Sequence, residues 1–422
     1  MNIWLINHYA LPPTENGGTR HYSHARQLIR RGHQVEVVAC SFLHLNHVHL
    51  PLTPGNLWER RFYDEVPFNW IHARGYRDNS LSRILNMFQF AQRVGRRRWA
   101  AGLEKPDLVL GSSPDPFAAL AAERIAASYN IPFVLEIRDL WPHVLTEVGE
   151  HSAHHPFVVL VDRVMRHLYR RAARIVLFSR CSPKLLASYG ADPKKVEWIP
   201  NGVDLELYPA PQLAPDDGQF TVSYVGAHNQ WNSLDAVLDA AKLLLQSGNK
   251  DVVFQFVGDG VDRPGLIQRA KDEGIENVRF EKSVPKKDVP ELLHKSDALI
   301  LNSRKDNISK NWMSYNKIYD YLAAGRPIVF GRCGTEDPVS EAGAGISVEA
   351  DNAEQLAHAV AQLALQPRDT LWEYGVRGRR FVEERYSVAR LVDRFEKVAL
   401  EVTGRSGGEA MTETSNHSLV LE

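Results

Sequence analysis

Residues 314–330 read Ser-Tyr-Asn-Lys-Ile-Tyr-Asp-Tyr-Leu-Ala-Ala-Gly-Arg-Pro-Ile-Val-Phe, a short helix forced to run straight into a buried strand. Ser314 is a good N-cap. Gly325 supplies the left-handed residue that ends a helix, and Pro327 bars its continuation. Ile328-Val329-Phe330 then reads as a buried strand. Ile318 and Leu322 share the inward face, which leaves Asn316 and Asp320 together one turn apart. With Ser314 as cap, the free N–H groups, the helix dipole and Lys317 converge at the helix start, and a phosphate suits that point. Asp320 lies about 6 Å further along the axis, a reach that suits the hydroxyls of a ribose attached to a diphosphate. Taken alone, the stretch is also compatible with a surface helix whose Lys317 and Asp320 are solvated.

The same strand-and-helix grammar runs along the whole chain. Asn2–Ile6 is a nearly all-apolar strand, as in a parallel sheet covered on both faces. Gly17-Gly18 opens a helix over 19–31, and 34–39 is the second strand. Glycines at a helix start let backbone approach a ligand closely, but no G-x-G-x-x-G follows the first strand, which argues against a standard nicotinamide enzyme. Residues 42–76 are rich in His, Pro and aromatics and read as irregular. Further strands fall at 106–110, 133–137, 175–179 and 196–199, with helices between them. Ser112 and Ser113 follow one strand and Arg138-Asp139 another, where ligands of open α/β sheets bind. A proline-rich stretch at 209–218 is linker-like, and the alternation then restarts. The fold class is therefore α/β, with two doubly wound parallel sheets facing a central cleft. The expected domains are 1–203, a linker over 204–218, 219–385, a final helix over 386–403 expected to return to the first domain, and a disordered polar tail over 404–422.

Charge and composition narrow the function. At 422 residues, two cores are expected. The net charge of −1 hides a balance of +8 in residues 1–200 and −9 in the remainder. Arginines at 83, 93 and 96–98 are interleaved with apolar residues over 78–103, and a second basic stretch runs from Arg163 to Arg174. Such a helix either lies in a membrane interface or packs on the sheet with its arginines in water. Without recognition modules these arginines do not predict nucleic-acid binding. No apolar run is long enough to span a membrane. The start lacks a basic leader, and the three cysteines have no metal spacing. A cytoplasmic protein is expected, working at the inner face of the plasma membrane if the basic helices make their contact.

The ordered set Gly17-Gly18, Ile199-Pro200-Asn201-Gly202-Val203-Asp204, Val225-Gly226, Val257-Gly258-Asp259-Gly260 and Asp320-Tyr321-Leu322-Ala323-Ala324-Gly325-Arg326-Pro327 resembles the GT-B retaining glycosyltransferases of family 4, from residue 2 to about 400. Arg138-Asp139-Leu140-Trp141-Pro142 and the Ser-x-Asn-Lys before Ile318 resemble transferases of bacterial surface polysaccharide synthesis. The resemblance implies a hexosyl- or N-acetylhexosaminyl-type transferase that moves a sugar with retention from a nucleoside-diphosphate sugar, expected to be UDP-linked. The acceptor would be lipid-linked or a saccharide. Donor binding would fall to Gly17, Gly18, Gly226, His228, Asn229, Gly258, Ser314, Asn316, Lys317 and Asp320. Arg20, His21, Ser112 and Arg138 would lie on the acceptor side, and Arg138, Asp139 and Lys317 would serve catalysis.

The sequence departs from the family pattern at three places. Trp312 stands where the first acidic residue of the Glu-x7-Glu motif is expected. The basic pair after the Val-Gly strand is replaced by Ala227-His228-Asn229-Gln230-Trp231-Asn232, and Arg138 replaces the family's active-site histidine. Positive charge for the departing diphosphate must then come from Lys317, Arg304, Lys305 or Lys310. No Asp-x-Asp stands at a strand end, so neither a metal nor another cofactor is expected. Sugar-nucleotide 2-epimerases share the fold, and with a catalytically inactive transferase homologue they form the alternatives.

Overall fold

A computed structural model describes residues 1–405 except 16, 45–46, 78–80, 148–151, 180–182, 215–217, 306–314 and 335. In the first half β1 (Asn2–Ile6), α1 (Arg20–Arg30) and β2 (Gln34–Cys40) are followed by the short pair β3 (Phe42–Leu43) and β4 (Val48–His49) and by β5 (Trp58–Tyr63) and β6 (Val66–Ile71). Then come α2 (Leu81–Gly95), β7 (Leu108–Ser112), α3 (Pro116–Tyr129), β8 (Phe133–Ile137), α4 (His143–Glu147), α5 (Pro156–Arg171), β9 (Arg174–Leu177), α6 (Pro183–Ser188) and β10 (Val196–Trp198). Their sheet has the order β10-β9-β8-β7-β1-β2-β6-β5. It is parallel except for the antiparallel edge strand β5.

The second half repeats the plan with β11 (Phe220–Val225), α7 (Leu234–Gln246), β12 (Val252–Val257), α8 (Arg263–Asp272), β13 (Val278–Glu281), α9 (Val289–His294), β14 (Ala298–Asn302), α10 (Asn316–Ala324), β15 (Ile328–Arg332), α11 (Pro338–Ala342), β16 (Gly345–Glu349), α12 (Ala353–Ala364) and α13 (Arg368–Arg385). Its sheet runs β13-β12-β11-β14-β15-β16, parallel throughout its described strands. In each sheet the winding reverses beside the first strand, between β1 and β7 and between β11 and β14. Open α/β sheets leave a ligand crevice at such points.

Strand β1 shows why the sheet is buried on both faces. Ile3 and Leu5 pack with Leu28 of α1, while Trp4 and Ile6 pack with Phe90 of α2 and Ala122 of α3. Helix ends follow local chemistry. Asp115 caps α3 by accepting from the N–H groups of Phe117 and Ala118, with Pro116 at the first helical position. Gly325 ends α10 in the left-handed conformation, at φ 66°.

Two expectations are corrected. Residues 42–76 are not irregular throughout: β5 and β6 form a hairpin on the sheet edge. β6 is buried at every position, so period-two alternation is lost, and Pro67 and Asn69 disguise it further. The residue at the cap position of α10 is Tyr315, which makes no side-chain cap bond. Ser314, the expected cap, lies outside the described residues, as do Lys310, Trp312 and the tail from 406.

The last helix, α14 (Val388–Thr403), leaves the second half and packs on the first. Leu391, Val392, Phe395 and Ala399 join the cluster of Ile3, Leu5 and Leu28. The crossing is reinforced by Arg31 and His33 on Glu396, each at 2.7 Å, and by Arg26 on Asp204 at 2.5 Å. Phe395→Ala should therefore destabilise the first domain, by about 3–5 kcal/mol for loss of a buried ring. A fall in melting temperature of the full chain checks this, and an unchanged melt would show that the helix docks without contributing.

Candidate active site

The start of α10 lies against the loop that follows β11, and Lys317 is the contact. Its side chain lies across Gly226: a Cβ there would stand 2.0 Å from the lysine Cε. Only a glycine lets the ammonium stem lie so close to this backbone. Lys317 Nζ donates to Asn232 Oδ1 at 2.9 Å and stands 5.6 Å from the centre of the Tyr224 ring. Burial pulls its pKa down to about 8, against a smaller upward pull from Asp320. Lys317 is thus a partly desolvated cation, with no carboxylate hydrogen-bonded to it among the described residues.

The neighbouring loops interlock. A Cβ on Gly258 would stand 1.9 Å from the Gly226 carbonyl oxygen, so the loops after β11 and β12 pack backbone on backbone. His228 is completely buried between them, and neither ring nitrogen has a hydrogen-bond partner among the described residues. Burial, with Arg263 nearby, lowers its pKa to about 4, so it is neutral. Asn229 shapes the loop, its Oδ1 accepting from the Trp231 N–H and from Asn232 Nδ2. Asn232, which orients Lys317, was not among the expected site residues. Its place in the segment that replaces the family's basic pair was the available signal.

Asp320 is not bare. Tyr208 Oη donates to it at 2.8 Å, and Lys286 Nζ pairs with it at 2.5 Å. Asn316 accepts a hydrogen bond from Asn201, across the gap to the end of the first domain. Arg304 donates to Gln230 and Lys305 pairs with Glu349, so these two candidate cations are engaged away from Lys317.

Across the cleft the first domain presents two arrays. Three of the four residues expected on the acceptor side turn inward to Glu136. Arg20 Nε donates to it at 3.1 Å, His21 Nε2 lies 2.8 Å away, and the Ser112 hydroxyl donates at 2.8 Å. Burial alone would raise the Glu136 pKa, but His21 and Arg20 outweigh it and hold the carboxylate well below its usual range. Arg20 also donates to the carbonyls of Ile199 and Pro200. These contacts make Arg20, His21 and Ser112 supports of the domain junction. The signal for Glu136 was a lone carboxylate inside the apolar strand Phe133–Ile137.

Arg138 is placed differently. Its guanidinium comes close to Gly18, 3.9 Å from where a Cβ there would stand, and lies 5.2 Å from the Phe178 ring centre. Gly17 and Gly18 are exposed at the cleft. Asp139 follows, and burial raises its pKa against the opposing pull of Arg138 and Arg83. Each domain therefore sets a cation beside a glycine loop, Arg138 near Gly18 and Lys317 on Gly226.

Comparison with known proteins agrees with this geometry. The model of Glycosyltransferase Family 4 matches residues 16–207, and that of Glycosyl transferases group 1 matches 219–366. The chain belongs to the family 4 glycosyltransferases, with the GT-B fold. Sucrose-phosphate synthase from Thermosynechococcus elongatus superposes with a TM-score of 0.73 at 14% identity, over 96% of this chain and 99% of that one. HepE of Anabaena, solved with UDP-glucose, gives 0.63 at 16%, over 95% and 100%. WaaG, a glycosyltransferase involved in lipopolysaccharide biosynthesis, gives 0.63 at 15%, over 96% and 100%. Among curated sequences, the probable glycosyltransferase WbjE of Pseudomonas aeruginosa is 21% identical over 59% of this chain and 62% of its own length. The D-inositol 3-phosphate glycosyltransferase of Gordonia bronchialis is 31% identical over 22% and 23%. The chain thus matches about three fifths of the first relative and a quarter of the second.

The half-buried ammonium of Lys317 has a stability consequence. Its folded pKa lies below the unfolded value, so the penalty on the charged form is complete below pH 8 and fades as pH rises toward about 10.5. Lys317→Met should therefore raise the melting temperature at pH 7, and the gain should shrink between pH 8 and pH 10. A variant that melts lower than the wild type at pH 7 would show the ammonium to be fully compensated in the free protein.

Proposed function

We propose that the protein transfers a sugar, with retention, from a UDP-linked donor to a lipid-linked or saccharide acceptor in the synthesis of a surface polysaccharide such as O-antigen, capsule or exopolysaccharide. The observation that carries the reading is Lys317, a desolvated ammonium seated on Gly226 at a helix start. It is a preorganised partner for a diphosphate. HepE was solved with UDP-glucose, which supports a sugar nucleotide as donor.

In this reading the second domain holds the nucleotide. The diphosphate lies against Lys317 and the N–H groups at the start of α10, and the ribose lies near Asp320, sharing that carboxylate with Lys286 or displacing it. The bond between the anomeric carbon and the β-phosphate oxygen breaks, and the acceptor oxygen bonds to that carbon from the same face. The acceptor proton passes to the departing phosphate. Lys317 from one domain and Arg138 from the other meet the charge that develops on the leaving group. Asp139 orients the acceptor hydroxyl. No carboxylate nucleophile is needed.

Contact with a membrane surface belongs to the same reading. Leu81, Leu85 and Phe88 are exposed at i, i+4 and i+7 on α2, and Arg96 and Arg98 lie beyond its end. A stripe of this kind suits a lipid interface. Among the described residues, no helix is long and apolar enough to cross a membrane. The arginines of α5 are less available: Arg166 pairs with Asp162 and Arg171 with Glu123.

Titration calorimetry with UDP tests the donor side. Lys317→Gln should weaken binding about tenfold or more, the scale of one charge-assisted hydrogen bond. Wild-type affinity should be flat below pH 8 and fall above it, as the ammonium loses its proton. UDP binding that is absent, or equal in the variant, overturns the assignment. UDP release that requires no acceptor, with loss of configuration at the sugar 2-position, would favour the epimerase instead.

A further inference from the structure

The outer edge of the first sheet is an open ladder. β5 is the terminal strand of that sheet, and among the described residues it pairs with β6 alone. In an antiparallel pair, residues whose backbone groups bond the partner strand alternate with residues whose groups point away from it. The His72 N–H donates to the Leu57 carbonyl at 2.9 Å, and the register carries the alternation along the strand. Glu59, Arg61 and Tyr63 therefore bond β6, while the N–H and C=O groups of Trp58, Arg60 and Phe62 point outward. Phe62 faces Pro67, which has no N–H to give it, in keeping with this pattern. None of the outward groups has a partner among the described residues.

Sheet edges are commonly guarded by charge, but the charges here are neutralised within the chain. The Arg60 guanidinium is bound to Glu36 of β2, and Arg61 Nε donates to Glu59 at 2.6 Å. Trp58 and Phe62 share a face of the strand with Arg60. Both rings are exposed, Phe62 by 60%. Free backbone groups, neutralised arginines and exposed rings together mark an edge that another strand can cover.

The edge is complementary to itself, and that identifies the occupant. We propose that the covering strand is β5 of a second copy of this chain, laid antiparallel about a twofold axis at Arg60. In that register Trp58, Arg60 and Phe62 lie opposite Phe62, Arg60 and Trp58 of the second copy, so every outward N–H meets an outward C=O. Each Trp58 stands beside a Phe62, an aromatic cross-strand pair. On the other face each Glu59 stands against an Arg61 of opposite charge. The meeting of Arg60 with Arg60 is relieved by Glu36 on both sides. Moving the axis to Glu59 or Arg61 breaks both the Trp58–Phe62 and the Glu59–Arg61 pairs, so the sequence selects one register. The two eight-stranded sheets then run on as one.

Sedimentation velocity on the full chain tests the proposal. The wild type should sediment as a dimer at micromolar concentration. Glu59→Arg sets like charges opposite each other at two places across the axis, and Arg61→Glu does the same with the other sign. Each variant alone should dimerise more weakly, by about tenfold or more. Mixed in equal amounts, the two variants set opposite charges at both places, and the mixture should recover the dimer. That recovery cannot come from repair within one chain, because neither chain regains its own Glu59–Arg61 pair. Phe62→Lys leaves all of these charges in place and should weaken the dimer as well, through loss of the pairs with Trp58. Thermal melts of each variant report folding separately. A monomeric wild type, charge variants that dimerise as the wild type does, or a mixture of folded variants that stays monomeric overturns the proposal.

Discussion

The relation between the two domains depends on a carboxylate that never reaches the cleft. Glu136 sits inside a strand of the first sheet and collects Arg20, His21 and Ser112. Arg20 then extends to the carbonyls of Ile199 and Pro200, where the chain leaves that sheet. The next residue, Asn201, bonds Asn316 at the start of α10. A continuous polar path therefore runs from the core of one domain to the start of α10 in the other. Removing one partner of such a buried pair leaves an uncompensated charge, a loss of about 3–5 kcal/mol. The path fixes position as well as stability, because Glu136 is held by three side chains and Arg20 by three oxygens.

The second domain tolerates the opposite arrangement. Lys317 is half-buried with no carboxylate paired to it among the described residues, and desolvation depresses its pKa. Locally unfavourable electrostatics concentrate at functional sites, and a partly desolvated cation is what the proposed diphosphate contact would use. Asp320, three residues on, is engaged by Lys286 and Tyr208, so it does not pair with Lys317 directly.

Much of this was legible in the sequence, for physical reasons that differ from element to element. The parallel strands announced themselves as apolar runs, and Gly325 with Pro327 fixed the end of α10. The β5–β6 hairpin was hidden because a strand buried on both faces shows no alternation. Side-chain destinations were the least legible. Arg20, His21 and Ser112 lie at strand and helix ends where a ligand is expected, yet a single internal glutamate, 24 residues after Ser112 and 116 after Arg20, draws them inward with no readable spacing. Lys317 was identified by its place at a helix start, whereas its seat on Gly226 and its bond to Asn232 depend on which loops the second sheet brings together.

That seat also accounts for the missing basic pair after β11. In the family pattern the cations approach the diphosphate from that loop, whereas here the loop supplies Gly226 and Asn232 and the helix supplies the charge. A lysine reaching from α10 needs a glycine beneath it, because any Cβ at 226 would occupy the space of its stem. In this chain the loop after β11 therefore contributes an amide, Asn232, and a glycine seat to the lysine of α10. With Lys317 in one domain and Arg138 in the other, the proposed transfer would draw its two cations from both halves of the chain, and neither domain alone would surround the leaving diphosphate.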